Sequence, residues 1–368
     1  MNATTPTPSR APARPLPTSR LWWFTGPVLL VLLAGVLTVA VRPVPYLALI
    51  PGQARSVEPL ITVTPKEGGP VPEEEAADDG LLFVTVSVRR PSGIEALWRL
   101  RNDTDEIVPE KTVTGGQSRE ENTRFNLQLM TDSKDKATKV ALERAGYEVG
   151  VEPTGAVVID LDPSYPVAKA VRPGDTIVAA DGEAVRTSAD LKDAIAAHRP
   201  GDEIELRIEP FGGAPARTER VELRENPEKA GAAQLGVSLD DRPRYTFPID
   251  VEIDSGKVGG PSAGLAFTLA ILDRITPGDL TGPSPVAVTG TIELDGSVGP
   301  VGGVVQKTEA AVRAGAKLFI VPTDEYDDAV EAARGRLEVR QVTTLDEALA
   351  VLEEQGGDPL PATAASPG

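Results

Sequence analysis

Two glycine-rich turns decide the fold of this chain: Gly256-Lys257-Val258-Gly259-Gly260-Pro261-Ser262-Ala263-Gly264 and Gly296-Ser297-Val298-Gly299-Pro300-Val301-Gly302-Gly303-Val304-Val305-Gln306-Lys307. Each turn follows a short run of β-forming residues and leads into a helical pattern, which predicts alternating strands and helices from Gly236 onward. The predicted elements are a strand at 247–253, a helix at 262–275, a strand at 286–289, a helix at 304–314, a strand at 318–321 and a helix at 344–354.

Ser262 is the first candidate for chemistry, because it stands at the predicted start of the helix that follows the first turn. Its hydroxyl would lie close to free backbone N–H groups and to the positive end of the helix dipole. The amides of this turn could stabilise an oxyanion. Two other interpretations compete. One is a plain serine N-cap, and the other is a phosphate-binding loop, which fails because no Gly-Lys-Ser/Thr follows.

Lys307 is the second candidate, and it lies in the first turns of the next helix beside Val304 and Val305. A lysine amine ordinarily has a pKa near 10.4 and is protonated at neutral pH. Burial among valines and a nearby helix N-terminus both disfavour the ammonium form and would lower that pKa. A neutral amine could then take the proton of a serine hydroxyl. The alternative is an ordinary solvated surface lysine.

Together and in this order, the two turns resemble the proteolytic domain of Lon proteases, over about residues 236–354. The matching motifs are residues 260–264, 287–292, 298–307, 314–322 and 344–352. Lon proteases use a Ser-Lys dyad, so the resemblance implies that Ser262 is the nucleophile and Lys307 its general base. The expected product of the first step is an acyl-enzyme that water hydrolyses.

The resemblance also implies supporting residues around the dyad. Thr289 would be an orienting hydroxyl for Lys307, and Gly260 and Ala263 would be orienting or oxyanion-binding positions. The alternative for Thr289 is an ordinary β-branched strand residue. The chain departs from the family at Gly259, where the ATP-dependent members commonly carry an aspartate, so no carboxylate partner is available at that position.

A PDZ-like segment interrupts this region. Residues 129–140 resemble the helix near the start of the Lon proteolytic domain, so that domain is expected to begin before residue 81 and to contain an insert. The insert, residues 155–223, resembles a PDZ domain through the stretches 156–160 and 172–182. PDZ domains bind an extended peptide along a sheet edge beside a helix.

Tyr147 and Val149 are the predicted peptide-binding residues, because the loop 147–150 could hold the terminal carboxylate of a peptide. The Gly-Leu-Gly-Phe sequence that usually forms this loop in PDZ domains is not present there. We therefore expect this segment to bind peptides, but the sequence does not identify the complete set of binding residues.

Residues 21–41 contain no charged side chain and predict a transmembrane helix, since 21 residues rise by roughly 30 Å, the thickness of a hydrocarbon core. Three arginines precede the segment within residues 1–20, without any acidic residue. The positive-inside rule then predicts a single-pass protein of the cell membrane with a cytoplasmic N-terminus and an extracytoplasmic catalytic domain. The alternative is a cleaved signal peptide, although the apolar run is longer than such a peptide requires.

Composition excludes several classes of function. The chain has 55 acidic and 37 basic residues, a formal charge of −18, which argues against nucleic acid as a partner. It has no cysteine and one histidine, His198, at the end of a predicted helix of the PDZ-like segment, so no thiolate site or multi-histidine mechanism is available. Asp250, Glu252 and Asp254 alternate on one strand, which favours a solvated strand face over a cation site. We expect no metal and no cofactor.

These observations predict an α+β fold in which an N-terminal transmembrane helix precedes a Lon-type α/β protease domain interrupted by a PDZ insert. The predicted domains are a disordered cytoplasmic tail at 1–20, the anchor at 21–41, the N-terminal part of the Lon-like domain at 43–144, the PDZ domain at 145–228, the Lon-type proteolytic domain at 235–355 and a disordered tail at 356–368.

This order resembles that of membrane-anchored PDZ-containing Lon-like proteases. The resemblance implies an endopeptidase that cleaves unfolded or flexible extracytoplasmic polypeptides, with the PDZ domain capturing substrate or gating access. No P-loop is present, so ATP is not expected to take part. A homo-oligomeric ring follows by analogy only. The alternatives are a catalytically silent PDZ/Lon-like membrane adaptor and a nucleotide-dependent enzyme, the latter opposed by the missing P-loop.

Overall fold

The computed structural model describes residues 40–66, 80–115, 118–211 and 214–361, together with positions 30 and 35. The strands in these ranges are β1 Tyr46–Ser56, β2 Ile61–Pro65, β3 Leu81–Arg89, β4 Glu106–Pro109, β5 Gly150–Leu161, β6 Thr176–Ala180, β7 Glu183–Ala184, β8 Glu203–Glu209, β9 Arg217–Glu222, β10 Arg224–Asn226, β11 Lys229–Gln234, β12 Val237–Thr246, β13 Ile249–Ile253, β14 Val286–Val288, β15 Thr291–Ile292, β16 Val298–Gly299, β17 Leu318–Pro322 and β18 Glu338–Val342. The α-helices are α1 Gly93–Arg99, α2 Glu110–Thr114, α3 Arg119–Arg144, α4 Ser188–Ala196, α5 Gly264–Ile275, α6 Val304–Arg313, α7 Tyr326–Ala333 and α8 Leu345–Glu354.

A six-stranded mixed sheet in the order β18-β17-β14-β3-β1-β4 forms the centre of the larger unit. Strands β3, β14, β17 and β18 are parallel, whereas β1 is antiparallel to both of its neighbours. Half of these strands precede the second sheet in the chain and half follow it. Because β14 lies between two parallel neighbours, loops from both faces of the sheet can meet at its carboxyl end.

Both faces of this main sheet are covered, as the alternation of apolar side chains along its strands requires. Leu81 and Phe83 of β3 pack into a core with α3, α5 and α8, whereas Leu82 and Val84 pack into a second core with α6 and α7. The two glycine-rich turns lead into α5 and α6. The sequences that carry Ser262 and Lys307 therefore approach the sheet from opposite faces.

The second sheet is antiparallel, with the order β12-β5-β6-β8-β9 and with β7 paired to β6. It has its own core, to which α4 contributes Leu191 and Ile195. One of its edge strands, β12, lies after residue 228, where the sequence predicts the end of the PDZ domain. We call these strands and α4 the PDZ sheet; the predicted domain boundaries themselves stay a prediction.

The predicted transmembrane helix and the membrane localisation are corrected. No helix within the part of the chain that the structure describes is both long enough and apolar enough to cross a membrane. The longest one, α3, has 26 residues but carries charged side chains along its length, and the apolar α5 has 12 residues, about 18 Å of helix. Most of the predicted segment 21–41 lies outside the described residues. The fold class is accordingly a mixed α/β fold.

Candidate active site

Thr289 and Gly290, directly after β14, connect the two glycine-rich turns. The Thr289 hydroxyl donates a hydrogen bond to the Ser262 carbonyl oxygen at 3.1 Å, and the Gly290 amide donates to the same oxygen at 3.0 Å. The Thr289 amide is held in the sheet by the Ile320 carbonyl at 3.0 Å. The carboxyl end of β14 therefore fixes the position of the Ser262 backbone.

Lys307 reaches the same point from the other face of the sheet. Its side chain is buried, with 3% of the residue exposed, and its Nζ donates a hydrogen bond to the Thr289 hydroxyl at 3.1 Å. Burial lowers the pKa of Lys307 from 10.5 to about 7, against the opposing attraction of the Glu325 carboxylate. The solvated alternative for this lysine does not apply, and the amine is neutral in a large fraction of molecules at neutral pH.

Ser262 is partly buried and lies in the turn before α5, which begins at Gly264 rather than at Ser262. Among the residues that the structure describes, its hydroxyl makes no hydrogen bond to Lys307 or to another group, and the Lys307 Nζ donates to the Thr289 hydroxyl. The structure thus brings Lys307, Thr289 and the Ser262 backbone together, without a bond between the amine and the serine hydroxyl. Catalytic hydrogen bonds are often unformed in the absence of substrate.

The turn that carries Ser262 is held from the side by α3. The Gly260 amide donates to the Asn126 carbonyl at 2.7 Å, and the Ser133 hydroxyl donates to the Pro261 carbonyl at 3.0 Å. Ala263 is buried and is the N-cap residue of α5. The Gly260 amide, predicted as an oxyanion donor, is therefore already occupied in this conformation.

Close packing on α3 also explains the glycine at position 259. A Cβ atom built on Gly259 would lie 2.8 Å from Asn126 Cβ and 3.1 Å from the Asn126 carbonyl carbon. An aspartate, which the resemblance to the ATP-dependent Lon proteases leads one to expect there, would collide with the helix backbone. Its absence here has a steric reason in this structure.

Glu325 is a site residue that the sequence does not reveal. It lies next to the N-terminus of α7, and its Oε1 accepts a hydrogen bond from the Val301 amide at 2.9 Å in the turn before Lys307. Its Oε2 is buried and has no hydrogen-bond partner in the described ranges. Asp324 and Glu325 simply follow a buried strand in the sequence, so no motif or spacing distinguishes Glu325 from its neighbour.

The predicted peptide-binding residues lie away from the edge of the PDZ sheet. Val149 is buried in the main core, and Tyr147 is exposed after the end of α3. The edge strand β12 lies instead beside α4, where the Ser188 amide donates to Asp241 Oδ1 at 2.6 Å. The start of β12, next to Gly236, is therefore the better placed loop for a peptide end, although the sequence pattern groups it with the Lon-type domain.

Two features of the sequence have structural roles. His198 contacts the Ala194 carbonyl through Nδ1 at 3.0 Å and Asp181 through Nε2 at 3.1 Å, within the PDZ sheet region. Asp250 pairs with Lys66 at 3.0 Å. Over the described stretches, no group of three or more histidine, aspartate or glutamate residues could hold a metal ion.

Comparison with known families identifies both units. Residues 232–354 match the Lon protease (S16) C-terminal proteolytic domain, and residues 130–210 match the PDZ domain. The chain therefore contains a Lon-type proteolytic domain, of the serine peptidase class, together with a PDZ domain.

Individual relatives cover parts of the chain. Lon protease 1 of Sorangium cellulosum is 38% identical over 125 residues, which are 33% of this chain and 15% of that protein. The archaeal Lon protease of Archaeoglobus fulgidus is 39% identical over 101 residues, 27% of this chain and 16% of that protein. The PDZ domain of an SdrC-like protein from Listeria monocytogenes is 23% identical, covers 23% of this chain and 87% of that chain, and has a TM-score of 0.22. The chain thus spans about 15% of the length of the first of these relatives.

Proposed function

We propose that this protein is an ATP-independent serine endopeptidase that cleaves unfolded or flexible polypeptides with a Ser262-Lys307 dyad. The observation that carries the proposal is the buried Lys307 amine, which has a pKa of about 7. This amine donates a hydrogen bond to the Thr289 hydroxyl, and the same hydroxyl donates to the Ser262 carbonyl oxygen. A lysine in that state can act as a base at neutral pH, as a solvated lysine cannot.

The mechanism follows from these positions. Neutral Lys307 takes the proton of the Ser262 hydroxyl while Ser262 Oγ forms a bond to the scissile carbonyl carbon. Lys307 then gives that proton to the amine of the leaving peptide as the C–N bond breaks. Lys307 next takes a proton from water as the water oxygen attacks the acyl carbon. It then gives this proton to Ser262 Oγ as the ester bond breaks, which releases the acid and the free serine and leaves Lys307 neutral again. Thr289 takes up no proton in these steps, and its hydroxyl holds the Lys307 amine close to the turn that carries Ser262.

Replacement of the two dyad residues tests the proposal. Ser262→Ala and Lys307→Ala should each abolish cleavage of an unfolded fluorogenic reporter, with unchanged circular dichroism and thermal unfolding. Arg220→Glu, an exposed change in the PDZ sheet, is the matched control and should cleave normally. Near-wild-type turnover in the Lys307 variant would show that the base is wrongly assigned.

Thr289 provides a graded test of the same site. Thr289→Val removes the hydroxyl that accepts from Lys307 and donates to Ser262, so kcat should fall by roughly 10- to 100-fold, the effect of one lost hydrogen bond to a charged or strongly polar group. Thr289→Ser should restore most of it. Equal activity of the valine and serine variants would leave Thr289 as an ordinary strand residue.

Peptide capture by the PDZ domain belongs to the same proposal. Because β12 is an edge strand beside α4, an extended peptide could pair along it and present its end to the turn at residues 235–237. A reporter with a free C-terminal carboxylate should then have a lower KM than the same reporter amidated, with equal kcat. Identical KM values would exclude recognition of the peptide end.

The competing function is that of a catalytically silent adaptor, which keeps the PDZ and Lon-type domains but does not cleave peptides. Covalent labelling of Ser262 by a fluorophosphonate separates the two, because an adaptor has no activated serine. An ATP-binding assay on the full chain tests ATP independence, and the homo-oligomeric ring proposed by analogy is tested by the mass of the protein in solution.

A further inference from the structure

The N-terminal turns of α3 connect the PDZ sheet to the turn that carries Ser262. We define the latch segment as residues 118–126, which comprise the N-cap and the first turns of this helix. The Asn126 carbonyl at its end binds the Gly260 amide at 2.7 Å. A helical carbonyl ordinarily accepts only from within its own helix, so this bond is an additional contact that the nucleophile turn makes with the latch segment.

The PDZ sheet region holds the other part of the latch segment at two points. Phe125 packs against Phe211, with ring centroids 5.8 Å apart and an interplanar angle of 45°. Glu121 forms an ion pair with Arg172. Glu121 also closes a capping box with Ser118, whose amide donates to Glu121 Oε2 at 3.0 Å.

Phe211 and Arg172 belong to one rigid corner of the PDZ domain. Asp175 is buried, and it accepts hydrogen bonds from the Phe211 amide at 2.8 Å and from the Arg172 amide at 3.2 Å. Phe211 also packs so closely on Gly174 that a Cβ there would lie 2.4 Å from the ring. A movement of this corner is therefore transmitted to both contacts with the latch segment.

We propose that the PDZ domain restrains the protease site through the latch segment, which keeps the Gly260 amide bonded to Asn126 until the contact with Phe211 and Arg172 loosens. The proposal rests on the proposed peptidase function. In the latched state the Gly260 amide cannot donate to an oxyanion, whereas release of the segment frees that donor at the turn of the nucleophile. Such coupling requires one structural element with two states and a second site that shifts the equilibrium between them.

The two contacts differ in strength. The Arg172 and Glu121 side chains are 71% and 40% exposed, so their pair contributes little in salt solution. The aromatic pair is partly buried and carries most of the restraint, so its loss should raise the released population by roughly 2- to 10-fold. We therefore assign most of the restraint on the nucleophile turn to the contact between Phe125 and Phe211.

The test compares Phe125→Ala and Arg172→Glu with the control Arg220→Glu in the full chain. Hydrogen exchange of peptides covering residues 256–262 is measured in a Ser262→Ala background, and reporter cleavage with Ser262 intact. We expect Phe125→Ala to raise both exchange at Gly260 and cleavage by about 2- to 10-fold, and Arg172→Glu to raise them by about 2-fold.

The outcomes separate this proposal from the peptidase function. Unchanged exchange at Gly260 in both variants, or lower cleavage in a folded Phe125→Ala protein, overturns the latch even if the peptidase is active. Faster exchange without cleavage in every chain supports the latch and overturns the peptidase. Arg172→Glu alters an exposed side chain, so it keeps the test decisive if Phe125→Ala does not fold.

Discussion

At the scale of single residues, the chemistry of Lys307 depends on two opposing effects. Burial removes water from the ammonium and lowers its pKa, whereas the Glu325 carboxylate stabilises the ammonium and raises the pKa. Burial is the larger effect, so the pKa comes to about 7. Without burial the lysine would be a charged group, and without the carboxylate its pKa would be lower still.

Glu325→Gln should shift the acidic limb of the pH–rate profile to lower pH. Wild-type kcat/KM should rise with pH around a midpoint near 7, as Lys307 loses its proton. The glutamine keeps an oxygen for the Val301 amide but removes the charge, so the ammonium loses stabilisation and the midpoint falls. Glu331→Gln, an exposed change on α7, should leave the profile unchanged. A midpoint that rises or stays in place would contradict the assigned effect of Glu325.

At the scale of elements, the start of α6 positions Lys307. Gly303 is the N-cap of this helix with φ of +68°, and its carbonyl accepts the Lys307 amide at 3.0 Å. A Cβ on Gly303 would lie 2.7 Å from Val86 Cγ2 of β3. The left-handed conformation and this close approach together require glycine.

Gly303→Ala should therefore destabilise the protein by about 1–2 kcal/mol from its backbone conformation alone and should lower kcat by displacing Lys307. Gly302→Ala is the matched control, since a Cβ atom added to Gly302 would meet no atom within 4 Å, and it should change stability by less than about 0.5 kcal/mol. Urea unfolding and reporter turnover measure the two effects. Equal behaviour of the two alanine variants would show that α6 tolerates a shift at its start.

At the scale of the whole molecule, a buried carboxyl links segments that are distant along the chain. Glu58, between β1 and β2, lies against Gly80, and the carboxylates of Asp273 and Asp279 are close enough to act on its charge. Burial first, and then these carboxylates, raise the pKa of Glu58 from 4.5 to about 7. The folded protein therefore binds this proton more tightly than the unfolded chain does.

This shift predicts that the free energy of unfolding falls as the pH rises from about 4.5 to about 7, because the unfolded chain releases the Glu58 proton more readily. Glu58→Gln should remove this dependence and stabilise the protein above pH 7, by on the order of 3 kcal/mol. Urea unfolding at pH 5 and pH 8 measures it, with the exposed Glu183→Gln as control. A glutamine variant that is less stable at pH 8 would contradict the prediction.

Several elements follow from local sequence alone. The helices predicted at 262–275 and 304–314 correspond to α5 and α6, whose ends differ from the predicted ones by no more than two residues. The motif around Thr344 likewise predicts the start of α8, where the Glu347 amide donates to the Thr344 hydroxyl at 3.2 Å. These features depend on neighbours a few residues away, which the sequence displays directly.

Other features depend on segments that are far apart in the chain. Nothing near Gly260 indicates that its amide is bonded to Asn126, and nothing near Glu325 indicates that it acts on Lys307. The edge position of β12 follows from its pairing with β5, not from its own composition. The apolar run at 21–41 resembled a membrane span by its local pattern, yet the helices that the structure describes include none of that kind.

Periodicity and capping act over one or two turns of chain, so local sequence specifies the two glycine-rich turns, the order of strands and helices around them and the residue types available for chemistry. The burial of the Lys307 amine, the meeting of the two turns at the end of β14 and the hydrogen bond of the Gly260 amide depend instead on the folded arrangement. Desolvation and hydrogen bonding between distant segments exist only once the chain has folded, so no local pattern encodes them.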